Sequence, residues 1–207
     1  MVKIVGVVHT PEHLDGVVER LPSLFSSGQR VGLEPSPEDL MFYDQFIDNK
    51  CKYQRDKIRI ELGLGNDYNF HELEGIYLFH EFFFEIYKKL LEMDIPSIGV
   101  GSRLKDLTAF DMIKKSIDSS EGFSDSRKDH SMLISPHFDY HVSEKVKKDN
   151  LDGVVIGVNH RKISELLKCE FVDLSGRSEF FSRLPYLNVD KLHKDYESYD
   201  KSRLPVL

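Results

Sequence analysis

One short sequence pattern that could contribute to a binding site occurs twice in this chain. Residues 6–9 (GVVH) and residues 157–160 (GVNH) both read Gly-Val-x-His. Each histidine, His9 and His160, stands where a predicted strand becomes a loop before a helix. In an open parallel sheet, ligands bind at the carboxyl ends of the strands. If the two strands are neighbours, both imidazoles should converge on one crevice.

An acidic residue ends another predicted strand. Glu34 follows the apolar part of the segment Gln29–Glu34 and should point to the same edge. Two histidines and one glutamate are a suitable ligand set for a divalent metal with an open position. The same three side chains also make a metal-free general acid–base set. A local role stays open as well, because Glu34 could be an anion near the helix that Ser36 is predicted to cap.

The order of these landmarks resembles the TraB/PrgY/Tiki family, whose wider relatives are ChaN-type haem-binding proteins and EreA-type erythromycin esterases. The segment Arg127–Met132 (RKDHSM) resembles the R-D-x-x-M stretch of that family, with Lys128 interposed. Arg103 stands where the family has Asp-Arg, and here the acid is missing. These landmarks lie between residues 6 and 160.

The resemblance implies an α/β fold and a metal-dependent hydrolase acting on a peptide or ester bond. In this prediction His9 and His160 hold Mn²⁺, Co²⁺ or Zn²⁺, and Glu34 is the third ligand or the general base. Arg127 and Arg103 would bind a carboxylate or phosphate of the peptide or small-molecule substrate, or stabilise an oxyanion. The alternative is a non-catalytic, ChaN-type protein that binds haem, metal or a peptide, with some of the nine tyrosines and fourteen phenylalanines lining the pocket.

Two other histidine groups are predicted to be structural. His137 and His141 are spaced i,i+4 on a predicted helix, which suits zinc geometrically, but no third ligand is evident and Asp139 should project elsewhere. We therefore predict surface histidines. His80-Glu81 lacks the second histidine of an H-E-x-x-H site and fits an aromatic core helix better.

Alternating strands and helices must position these residues. Predicted strands cover Val2–Val8, Gln29–Glu34, Ile95–Val100, Asp152–Asn159 and Glu170–Asp173. Predicted helices start at Pro11 and cover 36–62, Phe70–Met93, Leu104–Ile117, Asp125–Ile134, Ser135–Asp149 and Ile163–Leu167. This alternation predicts a central, mostly parallel sheet with helices on both faces.

The chain is predicted to form one α/β domain over residues 1–175, with a helical excursion over 36–93 and a C-terminal tail over 176–207. The net charge of −7 argues against nucleic acid as a partner. No apolar run approaches the ~18 residues of a membrane helix, and Met1–Val8 is too short for a signal peptide. We therefore expect a cytoplasmic protein without a membrane partner, and Cys51 and Cys169 should stay reduced.

Overall fold

A computed structural model describes residues 1–48, 54–64, 70–102, 125–175 and 189–198. Within these ranges the protein is an α/β fold with a five-stranded, all-parallel sheet and seven helices packed on it. The predicted fold class is confirmed.

The sheet places the two Gly-Val-x-His segments side by side. Its strands are β1 (Lys3–Val7), β2 (Val31–Leu33), β3 (Ser97–Gly99), β4 (Gly153–Gly157) and β5 (Glu170–Asp173). They lie in the order β3-β2-β4-β1-β5. Val7 of β1 is opposite Gly157 of β4 in a parallel ladder, and β4 also pairs with β2. The predicted adjacency of the two histidine-bearing strand ends is therefore confirmed.

The helices are α1 (Pro11–Leu24), α2 (Pro37–Asp48), α3 (Arg55–Glu61), α4 (Phe70–Glu92), α5 (Asp125–Lys148), α6 (Lys162–Leu167) and α7 (Val189–Ser198). Helices α2, α3 and α4 lie between β2 and β3, in the segment predicted as a helical excursion. The helix predicted over Leu104–Ile117 lies outside the described residues.

Helix α5 differs from what the sequence predicted. The sequence suggested two helices that meet at Ser135–Pro136, but a single helix runs through Pro136. Proline removes one backbone hydrogen bond and usually ends or kinks a helix. Here the residues after it, Phe138, Val142 and Val146, are buried in the core against the sheet, and this packing favours continuation.

Side chains alternate between the two faces of the sheet, as a strand requires. Val5 and Val155 pack in one core cluster, with residues of α1–α4. Ile4 and Val154 pack in the other, with residues of α5 and α6. The helices that follow β1 and β2 therefore lie on one face, and the helix that follows β4 lies on the other. Such a reversal opens a crevice at the carboxyl ends of the strands, where ligands bind in open α/β sheets.

Helix α7 belongs to the segment predicted as a tail, and it packs against α5. Its His193 and Tyr196 are buried. No helix in the described ranges is both long enough and apolar enough to span a membrane.

Candidate functional site

The three residues predicted from strand ends meet in the crevice between β1, β2 and β4. Glu34 lies between the two histidines, with its Oε2 3.2 Å from Nε2 of His9 and its Oε1 3.6 Å from Nε2 of His160. A single small ligand or ion could therefore contact all three side chains. The convergence expected from the repeated segment is what the structure shows.

Backbone contacts hold Glu34 in this position. Its own N–H donates to the carbonyl of Val155 at 3.1 Å, which extends the pairing of β2 with β4. The N–H of Gly157 donates to Oε2 of Glu34 at 2.6 Å. The carboxylate is thus fixed by the neighbouring strand rather than by its own loop.

The capping of α2 is done by other residues. The N–H and hydroxyl of Ser36 donate to Oδ2 of Asp39 at 2.9 and 2.8 Å, and the N–H of Asp39 donates back to the Ser36 hydroxyl. This reciprocal arrangement is a capping box. Ser36 is the cap that the sequence predicted, and with Asp39 it leaves the carboxylate of Glu34 turned toward β4.

The glycines of the two Gly-Val-x-His segments serve different purposes. A Cβ added at Gly157 would lie 3.3 Å from Oε2 of Glu34 and 3.3 Å from Cε1 of His9, so this glycine makes room for the site. A Cβ added at Gly6 would lie 2.5 Å from the ring of Phe171 on β5, so this glycine is required by packing.

Aromatic rings enclose both imidazoles. The ring of His9 lies 5.0 to 5.5 Å from the ring centroids of Phe79, Phe82 and Phe83 on α4. His160 lies 4.9 Å from Phe138 on α5. The side chain of His9 is 24% exposed, whereas those of Glu34 and His160 are 9% exposed. His9 therefore forms the solvent-facing side of a mostly buried site.

Two further residues extend the site away from the sheet. Nδ1 of His160 lies 2.6 Å from Oδ1 of Asp139, and Nε2 of His193 lies 2.9 Å from Oδ2 of the same carboxylate. Asp139 and His193 are both buried. As predicted, Asp139 does not join His137 and His141, and its carboxylate contacts His160 and His193 instead. The five side chains form a mostly buried series in which imidazoles and carboxylates alternate, and we call it the His–acid chain (His9, Glu34, His160, Asp139, His193).

Both acids of the His–acid chain stay ionised. Burial by itself would raise the pKa of Glu34, but the charge of His9 and the contacts with His160 hold that pKa well below its usual value. Burial also opposes ionisation of Asp139. The charge and hydrogen bond of His160, together with the hydrogen bond and charge of His193, nevertheless lower the pKa of Asp139. Positive charge on the nitrogens, from protons or from another cation, is what keeps these buried carboxylates charged.

The donor atoms of His9, Glu34 and His160 have nearly the spacing that a divalent metal requires. Two ligand atoms that are each ~2.1 Å from one ion, at a tetrahedral angle, are ~3.4 Å apart. The two nitrogen–oxygen distances at Glu34, 3.2 and 3.6 Å, bracket that spacing. The buried Nε2 of His9 has no hydrogen bond within the described ranges. In those same ranges, no group of three or more His, Cys, Asp or Glu side chains already has the full spacing of a metal centre. The residues fit an ion in chemistry and pairwise spacing, and an ion would need to draw them together.

The predicted arginines are not brought to this site by anything the structure describes. Arg103 lies outside the described residues. Arg127 lies in the first turn of α5, about three turns before Asp139, and its side chain is not described. Their predicted roles stay predictions.

The other histidine groups are structural in the main. Nδ1 of His80 lies 2.8 Å from the hydroxyl of Tyr43 in the core, as expected for a core helix. His137 and His141 are half-buried rather than on the surface, and α7 packs beside His137. His137 is hydrogen-bonded to the hydroxyl of Tyr196 on α7.

Sequence reasoning missed Asp139 and His193, although the sequence carries a signal for each. Asp139 has the helical spacing of the core residues Val142 and Val146. His193 lies beside the apolar stripe of α7 and is followed by the buried Tyr196 at i+3. An ionisable residue on the buried stripe of a helix needs a partner in the interior, and this could have pointed to the pair.

No protein-family model, no curated protein and no solved structure matches this chain.

Proposed function

We propose that this protein is a divalent-metal-dependent hydrolase that cleaves a peptide or ester bond, as the resemblance to the TraB/PrgY/Tiki family implies. The observation that carries the proposal is the Glu34 carboxylate placed between the Nε2 atoms of His9 and His160. These side chains lie in the crevice where an open α/β sheet binds its ligands.

The hydrogen bond to Asp139 supports a cation at this place. A carboxylate only accepts hydrogen bonds, so Nδ1 of His160 carries the proton that it shares with Asp139. In the neutral imidazole, Nε2 then presents a lone pair toward Oε1 of Glu34. Two acceptors that face each other need a hydrogen-bond donor or a cation between them, and a second proton or a metal ion would serve. A carboxylate on the second nitrogen is also the usual support of a metal-binding histidine.

Each residue then has a defined role. His9 and His160 hold the ion through Nε2, and Glu34 supplies the third ligand. A divalent ion held there supplies Lewis acidity, which acidifies water and polarises a carbonyl. A general base works best with a pKa near the working pH, and the lowered pKa of Glu34 makes it a weak one. Of the two predicted roles for Glu34, the structure thus favours the ligand. Arg127 and Arg103 stay the proposed partners of the substrate.

Metal-dependent turnover tests the proposal. Chelator-treated protein would be assayed on a panel of peptides and nitrophenyl esters, alone and with Mn²⁺, Co²⁺ or Zn²⁺. We expect cleavage that appears with one of these ions and disappears in His160→Ala. Turnover that is the same without metal, or that survives in His160→Ala, would contradict the proposal.

A haem-binding protein is the second candidate, and one observation favours it. Three phenylalanine rings on α4 surround His9, the most exposed histidine of the His–acid chain, and haem pockets combine an axial histidine with apolar walls. Titration with haemin separates the candidates, since a Soret band that His9→Ala abolishes would support binding rather than hydrolysis.

A further inference from the structure

The C-terminal helix contributes a residue to the His–acid chain, and the role of this residue can be argued from its contacts. His193 is nearly fully buried, and Asp139 is more buried still. Both oxygens of Asp139 are engaged by imidazoles, Oδ1 by His160 and Oδ2 by His193. His193 reaches no other member of the His–acid chain in the contacts described, so its direct contact with the site is through Asp139.

We propose that His193 is a positioning residue, which locks the Asp139 carboxylate so that His160 keeps its proton on Nδ1 and turns the Nε2 lone pair toward Glu34. The expected effect on metal binding rests on the proposed function, but the tautomer of His160 does not depend on a metal. The C-terminal segment is thereby part of the site.

The protonation pattern follows from the two contacts. Because the carboxylate only accepts, Nε2 of His193 is the donor. Nδ1 of His193 is buried without a hydrogen-bond partner among the described residues. A buried N–H without a partner is costly, so the proton that His193 donates is on Nε2. His193 is therefore a hydrogen-bond donor of fixed direction toward Asp139.

The consequence of losing this donor falls on His160. With Oδ2 unpaired, the carboxylate of Asp139 can rotate about its Cβ–Cγ bond and weaken the 2.6 Å contact to Nδ1 of His160. Asp139 then holds the proton on Nδ1 less firmly, and a proton on Nε2 would occupy the position that a metal ion needs. Loss of such an outer partner typically lowers metal affinity by about 10–100-fold.

Nitrogen-15 imidazole spectra of the metal-free, full-length protein, with Co²⁺ titrations, test this proposal. We expect the Nδ1–H tautomer of His160 in the wild type and a shift toward Nε2–H in His193→Ala, with Co²⁺ affinity about tenfold lower. His193→Gln places an amide N–H near the former Nε2 and should restore both. Tyr196→Phe removes the contact of the same helix with His137 and leaves Asp139 untouched, so it should behave as the wild type.

The outcomes separate this inference from the proposed function. An unchanged His160 tautomer in His193→Ala would overturn the positioning role. Equal losses in Tyr196→Phe and His193→Ala, or a Gln variant that fails like the Ala variant, would also overturn it, since docking of α7 alone would then explain the effect. If the wild type binds no Co²⁺ but the tautomer shifts as expected, the positioning role stands and the metal-dependent function fails.

Discussion

The buried carboxylates of Glu34 and Asp139 need compensating partners in the protein interior. Glu34 and Asp139 lie almost out of reach of solvent, and each lies between two imidazoles. Removing one partner of a buried charge is more damaging than removing a surface ion pair, because the remaining charge is left uncompensated. The effects of substitutions in the His–acid chain should therefore be coupled rather than additive.

The two strand-end histidines should show this coupling. We expect His9→Ala and His160→Ala each to abolish metal-dependent turnover, with the double variant little worse than either single variant, because ligands of one ion act together. Steady-state kinetics of the three variants would measure it. His13→Ala is the matched control, since His13 lies in the first turn of α1, soon after His9 in the sequence, but its hydrogen bonds go only to Thr10 in the contacts described. Losses that multiply in the double variant would show that the two imidazoles act independently.

The charge of Glu34 can be tested without changing its size. Glu34→Gln keeps a hydrogen-bonding oxygen for the N–H of Gly157 but removes the negative charge. If Glu34 is a ligand, both Co²⁺ affinity and turnover should fall. If it acts only as a general base, turnover should fall about 10²–10⁴-fold while Co²⁺ still binds. We expect the first result, and calorimetric titration with Co²⁺ distinguishes it from the second.

At the scale of elements, Gly157 at the end of β4 leaves room for the site because it has no side chain. Gly157→Ala should leave the fold intact, because the backbone of this residue, with φ of −54°, suits alanine. The new methyl would press on Glu34 and His9 at 3.3 Å, and we expect Co²⁺ affinity to fall about tenfold.

A glycine elsewhere provides the control for that substitution. Gly16 lies on α1, and a Cβ there would meet nothing within 4 Å. Gly16→Ala should leave Co²⁺ affinity unchanged and raise the free energy of unfolding by about 0.5–1 kcal/mol. Thermal melts with Co²⁺ titrations of both variants would measure these effects. Unchanged affinity in Gly157→Ala would show that the crevice has more room than the structure indicates.

The elements differ in how far the sequence predicts them. Strand ends can be predicted from a short apolar run followed by a polar residue, and the repeated Gly-Val-x-His segment and the acid after the second strand pointed to His9, His160 and Glu34. Asp139 and His193 were missed because their partners are set by how α5 and α7 pack. The predicted break at Pro136 was wrong for the same reason, since packing of α5 against the sheet outweighs the tendency of proline to end a helix.

At the scale of the whole molecule, the two buried acids should make stability depend on pH. Their pKa values are lowered in the folded protein, against about 4.3 for Glu and 3.9 for Asp in an unfolded chain. The unfolded state therefore binds more protons in this range, so the free energy of unfolding falls as the pH drops. The stabilisation is complete above about pH 5 and is lost as the pH falls through the folded values.

Denaturant titrations between pH 3 and pH 7 would measure this dependence. Glu34→Gln should show a shallower decline below pH 5 than the wild type, because one of the two acids no longer titrates. Glu38→Gln replaces an exposed acid of α2 and should keep the wild-type slope. An identical slope in all three proteins would show that Glu34 does not carry the acid sensitivity.

The central claim is that His9, Glu34 and His160 hold one divalent ion, and a crystal structure with Co²⁺ or Mn²⁺ located by anomalous scattering tests it most directly. We expect one strong anomalous peak in the crevice of β1, β2 and β4, with both Nε2 atoms and at least one oxygen of Glu34 at bond lengths near ~2.1 Å. Asp139 should keep its contact with Nδ1 of His160. A crevice without a peak at saturating metal, or an ion bound by other residues while the three side chains stay as they are, would contradict the account.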